Sequence, residues 1–230
     1  MHHHLKNILV TLVILSSFAV AFAETEKSSD ETKRVDDATV VLNELAGMSE
    51  GPPRDLLEKA AGVVVIPGLV KAGFVIGGKH GSGVLSIKDK DGNWSEPAFV
   101  KMTGGSIGWQ IGASSTDLVL LFMREKNIRS VLDGEFTLGG NATVAAGPVG
   151  RTGSADTSAK LDAEIYSYSR SRGAFAGISI DGSKLYVDKS ANAAFYGGDA
   201  TPTSIVASTG TPDSPGGRFR TALASLTASK

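Results

Sequence analysis

Between residues 136 and 180 glycine recurs among short β-branched and aromatic runs, from FTLGGNATVAAGPVGRTG to EIYSYSRSRGAFAGISI. Each glycine inside a helix costs about 1 kcal/mol relative to alanine. The same residue is well suited to tight reversals and closely packed strands. The block therefore demands close-packed antiparallel strands with tight reversals, and not long helices. With 28 glycines in 230 residues, the demand extends well beyond the block.

Around this centre the periodicities predict an α+β domain. Its sheet is expected to be strongly curled or barrel-like and antiparallel, with two N-terminal helices and a C-terminal helix. Val35, Ala38, Val41, Leu42 and Leu45 repeat at helical spacing, with Asp36 and Asp37 in the first turn. A second helix is expected from residue 54 to residue 60, after Pro52 and Pro53. About ten short strands should follow. Residues 63–66 are continuously apolar and predict a buried strand ended by Pro67. Residues 71–76 and 84–87 predict two more, separated by a turn over the glycine-rich residues 77–83. Asp91-Gly92 is the best hairpin signal, and the strand returning from Trp94 carries Pro97. Residues 117–123 form another apolar run, and residues 124–132 one or two helical turns. Residues 142–146 should be a central strand of small side chains, covered by Trp109 and Phe175. Residues 188–206 are expected as a packed irregular arm, and Phe219, Leu223 and Leu226 mark the terminal helix.

The N-terminus carries an address. Lys6 precedes an apolar run to Phe22, and Ala21-Phe22-Ala23 fits a cleavage site. Residues 1–23 are expected as a signal peptide, 24–34 as a flexible lead-in and 35–230 as a single domain. His2, His3 and His4 would leave with the signal peptide. With no cysteine the chain forms neither disulfides nor a lipoprotein anchor. The compartment this implies is the periplasm, with secretion as the alternative.

The residue inventory argues against several chemistries. A net charge of -1 gives no broad case for nucleic acid. One histidine beyond the first four residues, His80, and no cysteine leave no metal set, and no cofactor is expected. GGKHGSG at 77–83 lacks the order of a phosphate loop, so no nucleotide is expected. No catalytic residue is assigned. Tyr166, Tyr168 and Arg170 share one face if the strand period of two holds, and Arg172 continues it. Guanidinium groups beside aromatics suit phosphate or an acidic partner, and the alternative reading is tyrosines packed at a sheet rim with solvated arginines.

Four segments carry a resemblance. They are VVVIPGLVKAGFVIGGKHGSGVL at 63–85, DLVLLFM at 117–123, FTLGGNATVAAGPVGR at 136–151 and IYSYSRSRGAFAGISIDG at 165–182. Together they resemble the SYLF domain family, including its exported bacterial members, over roughly residues 35–230. The resemblance implies a lipid- or actin-associated domain without an established reaction. In eukaryotic relatives membrane contact is linked to a basic amphipathic N-terminal region. Here that region carries Asp36, Asp37 and Glu44 instead. The expectation is an exported envelope protein with a lipid-interacting SYLF-like domain, whose partner is membrane lipid or an envelope protein. Lys71, Lys79, Arg151, Arg170 and Arg172 are its candidate headgroup contacts, with Tyr166 and Tyr168 beside them. A periplasmic structural or protein-interaction module is the second reading. An uncharacterised hydrolase using carboxylates such as Asp117 and Glu135 is the third.

Overall fold

Two very long strands dominate the computed structural model, which describes residues 29–48, 51–148, 162–171 and 174–227, with the side chains of 72–76, 106–113 and 171 outside the description. Strand β1 (Gly62–Ile87) pairs antiparallel with β2 (Ala98–Phe122) from Gly62↔Phe122 to Leu85↔Ala98. The runs expected as five or six separate short strands are therefore one two-stranded ribbon. Pro67 does not end β1. Pro67 and Gly68 bulge out opposite Asp117, between the pairs Ile66↔Leu118 and Leu69↔Thr116. Gly68 takes φ 61° there, a conformation open to glycine. A bulge tolerates the missing N–H of proline, so the strand resumes beyond it. The glycine-rich residues 77–83 are likewise strand and not turn.

The ribbon folds back on itself. At about 3.3 Å per residue, the dozen residues from Leu69 to Gly81 would span about 40 Å if straight. Yet a Cβ built on Gly81 would lie 2.8 Å from Leu69 Cδ1, and one on Gly83 would lie 2.8 Å from Ile66 Cα and overlap the Val65 carbonyl. The two arms of β1 thus cross in face contact, and the crossing point has no room for a side chain. The ends of the strand also meet, because Lys88 N–H donates to Ala61 O at 2.9 Å.

Five short strands extend β2 into a strongly curled half-barrel. They are β3 (Phe136–Thr137), β4 (Val144–Ala146), β5 (Ile165–Ser171), β6 (Ala174–Gly177) and β7 (Lys184–Val187). One end of β2 pairs with β7 at 100–103, and β3 pairs with β7. The other end pairs with β5 at 117–122. The far edge of β5 is shared by β6, antiparallel, and β4, parallel. Strand β4 is therefore a three-residue edge strand and not the expected central one. Phe175 does lie in the same cluster as Ala145, whereas the Trp109 side chain falls outside the described residues.

Alternate residues of each strand enter two different cores, which explains the continuous apolar runs. Val63, Val65, Val119, Leu121, Tyr166 and Tyr168 face one way; Val64, Ile66, Leu118, Leu120, Phe122 and Ile165 face the other. The first face is covered by helix α1 (residues 29–47), α2 (Arg54–Lys59), α4 (Lys189–Tyr196) and α6 (Pro215–Thr227). The second is filled by α3 (Glu125–Asp133), α5 (Pro202–Val206) and the β3 region.

Two corrections concern polar residues at helix starts. Residues 29–34 are helical and belong to α1, so they are not part of a flexible lead-in. Their charges look solvated in sequence, but Glu31 is buried, and Arg34 sits 5.4 Å from the Phe99 ring centroid and 3.2 Å from Asp188. The arm expected as irregular contains α4 and α5. Asp188 caps α4 by accepting the Ala191 N–H, and Thr201 and Ser204 form a capping box on α5.

Two outcomes test this fold. Gly83→Ala should cost about 1–3 kcal/mol, because backbone must move to admit the methyl group. Gly78→Ala, where nothing lies within 4 Å, should change stability by less than about 0.5 kcal/mol. Thermal unfolding of the pair checks this, and equal midpoints would contradict the crossing. The second concerns Asp188. Burial alone would raise its carboxyl, but hydrogen bonds from Lys101, the Ala191 N–H and Ser190 hold it below the usual range. Its contribution is present above the unfolded value of about 3.9 and is lost as pH falls toward the lower folded value. Asp188→Asn keeps a capping residue but loses the charge pairs, and should cost about 2 kcal/mol at pH 7. Its stability should also fall less steeply below about pH 4, as acid titration followed by circular dichroism would show.

Candidate functional site

The sequence singles out seven side chains, and the fold separates them into three groups. Arg151 and Arg172 form the first, lying outside the described residues, as does the signal peptide proposed for 1–23.

Tyr166, Tyr168 and Arg170 form the second. They do share one face of β5, as the period of two requires, but that face looks into the core beneath α1. Tyr166 is 2 % exposed and Tyr168 0 %. Burial pushes the Tyr168 phenol far above its usual range, with Tyr166 adding to the effect. Gly147 lies against the end of the Tyr168 ring, so even a methyl group there would overlap it. These tyrosines are packing residues and do not form an exposed rim. Arg170 is half-buried and fully engaged. Its Nε donates to Asp117 Oδ2 at 2.7 Å, and its Nη1 pairs with Glu44 of α1. Asp117 Oδ1 in turn accepts the Gly68 N–H at 2.9 Å. One carboxylate thus fixes the bulge of β1, the arginine of β5 and, through it, the helix α1.

Lys71 and Lys79 form the third group and are differently placed. Both lie on the stretch of ribbon where β2, between Gly104 and Thr116, pairs with β1 alone. Neither makes an ion pair among the described residues. They stand eight residues apart on one strand, yet the curl brings them into each other's field. Lys79 is held below its usual range first by desolvation and second by the charge of Lys71, with Asp181 opposing. Like charges left facing each other are a cost that a bound anion removes. The surroundings leave space: a Cβ on Gly78 or Gly105 would meet nothing within 4 Å. His80 beside them is exposed.

The carboxylates considered for hydrolysis are not brought together. Asp117 is held by Arg170, whereas Glu135 is exposed and pairs with Lys184 at 2.8 Å. Two clusters escaped sequence reasoning. Glu96, 5 % exposed, pairs with Arg220 Nε at 3.0 Å, and Tyr196 donates to its neighbour Pro97 O at 2.8 Å. Burial pushes the Glu96 carboxyl up, and Arg220 pulls it back. No local pattern marks Glu96, because its partner lies far along the chain. Asp188 could have been found, since an aspartate before the alanine-rich run 189–196 is a helix-start signal. Among the described residues no helix is long and apolar enough to cross a membrane.

The family model described as "Ysc84: Las17-binding protein actin regulator" matches residues 103–226, more than half of the chain. LAS seventeen-binding protein 3 of Saccharomyces cerevisiae is 38% identical over 167 residues, covering 71% of this chain and 36% of that protein. Protein YSC84 of the same yeast is 37% identical over 187 residues, covering 80% and 39%. The SH3 domain-containing YSC84-like protein 1 of Xenopus laevis is 38% identical over 169 residues, covering 70% and 50%. The chain thus spans half or less of the length of these relatives. They come from a fungus and a vertebrate, whose cells lack the double-membraned envelope of a bacterial periplasm, and one carries an SH3 domain by name. That overturns the periplasmic placement and the secreted alternative, and no relative here supports the narrower reading as an exported bacterial member. Matched over residues 103–226, from within β2 through the strands of the half-barrel to the terminal helix, the chain belongs to the Ysc84 family, with the SYLF-type domain that its glycine-rich segments resemble.

Proposed function

We propose that this chain is a non-catalytic interaction domain that engages an acidic surface of an actin-regulatory protein partner through Lys71 and Lys79. The observation that carries the reading is a pair of lysines, neither in an ion pair among the described residues, on the stretch of the ribbon where β1 is paired with β2 alone, with the Lys71 charge helping to hold Lys79 below its usual range. The family description and the name of the yeast relative, both of which speak of Las17 binding, supply the class of partner. Tyr166, Tyr168 and Arg170 act here as the support of that surface, because they are buried or committed to Asp117 and Glu44.

A second reading keeps membrane lipid as the partner. It rests on the open backbone at Gly78 and Gly105 beside the two lysines, where a phosphate-bearing headgroup has room to approach. Helix α1 adds little to that reading, since Val35, Ala38, Val41, Leu42 and Leu45 are buried and the exposed Val40 shares the outer side with Asp36, Asp37 and Glu44.

The two readings part in a sedimentation experiment with the full chain. On the first, the chain co-sediments with actin filaments or is retained by Las17, and Lys71→Glu/Lys79→Glu abolishes this without moving the unfolding midpoint. Unaltered retention of the double variant would remove the lysines from the site. On the second, the chain floats with anionic vesicles and not with zwitterionic ones, and the association weakens as salt rises. Arg170→Ala should behave in the opposite way to the lysine variant. It should lose about 2 kcal/mol of stability, since it frees a half-buried carboxylate, and the protein that remains folded should bind its partner normally. A binding defect in a folded Arg170→Ala protein would return Arg170 to the contact surface.

A further inference from the structure

Over most of its length β1 has a partner on one side only. It pairs with β2 from Gly62 to Leu85, with irregularities between Ile66 and Leu69 and between Gly73 and Val75, and among the described residues no other strand joins it. Between Leu69 and His80 none of its described backbone groups bonds to any other element. At either end the edge is closed. Pro67 and the Gly68 bulge interrupt it before Leu69, and after His80 the strand packs across its own first arm at Gly81 and Gly83. The intervening stretch is two strands wide, with Val70 45% exposed and Gly78, His80, Gly105, Ser114 and Ser115 exposed. A ribbon of two strands is marginally stable in isolation and gains from a third strand. Open edges of this kind are where extended segments add, with main-chain hydrogen bonds giving affinity and side chains giving selectivity.

The charges decide what can add. Lys71 and Lys79 lie an even number of residues apart, and the irregularity between Gly73 and Val75 puts its extra residues on β2, so the two lysines share one face of β1. A second copy of this chain docking along the same edge would bring four ammonium groups together, which disfavours self-association. A neutral strand would leave both lysines unneutralised. A strand with carboxylates on the matching face would neutralise both. We infer that the outer edge of β1 between Leu69 and His80 takes up an extended acidic segment of a partner protein as an additional strand, with Lys71 and Lys79 selecting its carboxylates. The inference rests on the protein-binding reading above and gives it a mode.

The test uses the full chain and a synthetic ten-residue peptide of alternating threonine and glutamate, fluorescently labelled and capped at both ends. Two controls accompany it: the same peptide with alternate backbone amides N-methylated, and a peptide with lysine in place of glutamate. Fluorescence anisotropy should show the acidic peptide binding, with Lys71→Gln/Lys79→Gln weakening it about tenfold, as the loss of two partly exposed charge pairs implies. N-methylation should weaken binding at least as much, since it removes main-chain donors and leaves every charge. The lysine peptide should not bind. Amide hydrogen exchange should slow within residues 69–80 of β1 when the acidic peptide is present. Because the decisive change is made in the peptide, a folding defect in a protein variant cannot mimic it. Equal binding of the N-methylated peptide would overturn strand addition. So would binding of anionic phosphatidylserine vesicles without any binding of the acidic peptide, or concentration-dependent dimerisation in sedimentation that protects the same amides. If lysine-dependent actin or Las17 retention survives while the peptide fails, strand addition falls and the interaction function stands. If both fail, both fall.

Discussion

The crossing of β1 over itself at Gly83 is the contact on which the rest of the molecule depends. Without it the ribbon would be a straight hairpin, and the arms carrying Val65 and Val84 would not share one core. Because it curls, β2 presents its two ends to different strands: residues 100–103 reach β7 and residues 117–122 reach β5. The sheet can then be short on both sides and still enclose two layers of side chains. Glycine is required there for a steric reason, the absence of a Cβ between two backbones, and not for its left-handed conformations. Gly68 is the opposite case. A positive φ is needed to return the chain to the ladder after Pro67, and the Asp117 carboxylate accepts the N–H that the bulge displaces.

The class of fold was legible in the sequence because it follows from composition and period. Glycine among β-branched residues marked the block from 136 as strand-forming, and helical spacing at 35–45, 54–60 and 219–226 gave helices at the right places, although α1 reaches back to 29. The number of strands was not legible. Proline and glycine are ordinarily punctuation, so Pro67 and residues 77–83 suggested strand ends. In the fold they are a bulge and a curve within one strand, and only the pairing partner distinguishes the two. The same limit applied to Tyr166 and Tyr168. The period of two assigned them correctly to one face, but both faces of β5 are buried, and nothing local tells a covered face from an open one. Lys71 and Lys79 were singled out as cations within the glycine-rich segment that carries the family resemblance. Their mutual approach depends on the curl and could not be read from positions eight residues apart.

Charge is neutralised unevenly across this surface. Three carboxylates with little exposure brace the ribbon's arms, and each secures a helix. Glu96 holds α6 through Arg220, Asp117 holds α1 through Arg170 and Glu44, and Asp188 caps α4 while binding Arg34 of α1. Each is met by an arginine, whose planar fork satisfies more than one oxygen at once. The lysines on the middle of the ribbon have no such partner among the described residues. Lysine is a compact ion on a flexible stem, and it tolerates partial desolvation at the cost of a lowered pKa, which Lys79 exhibits.

This contrast connects stability with function. Local opening is cheapest where few apolar contacts and no cross-braces hold a segment. The arms of the ribbon carry both cores and all three braces, so they open only with the whole fold. Its middle has neither a third strand nor a covering helix among the described residues, and there β2 has β1 as its single neighbour. A partner docking on the middle would therefore add order where it is least, without having to displace α1 or any buried residue. A partner docking on the Tyr166–Arg170 face would first have to lift α1, breaking the Glu44 pair and exposing Val35, Ala38, Val41, Leu42 and Leu45 to water. At roughly 1.5–3 kcal/mol for each of the larger aliphatic side chains, that exposure alone would consume most of the free energy of a micromolar complex, about 8 kcal/mol. The energetics of the cores, as well as the position of the lysines, direct recognition to the ribbon.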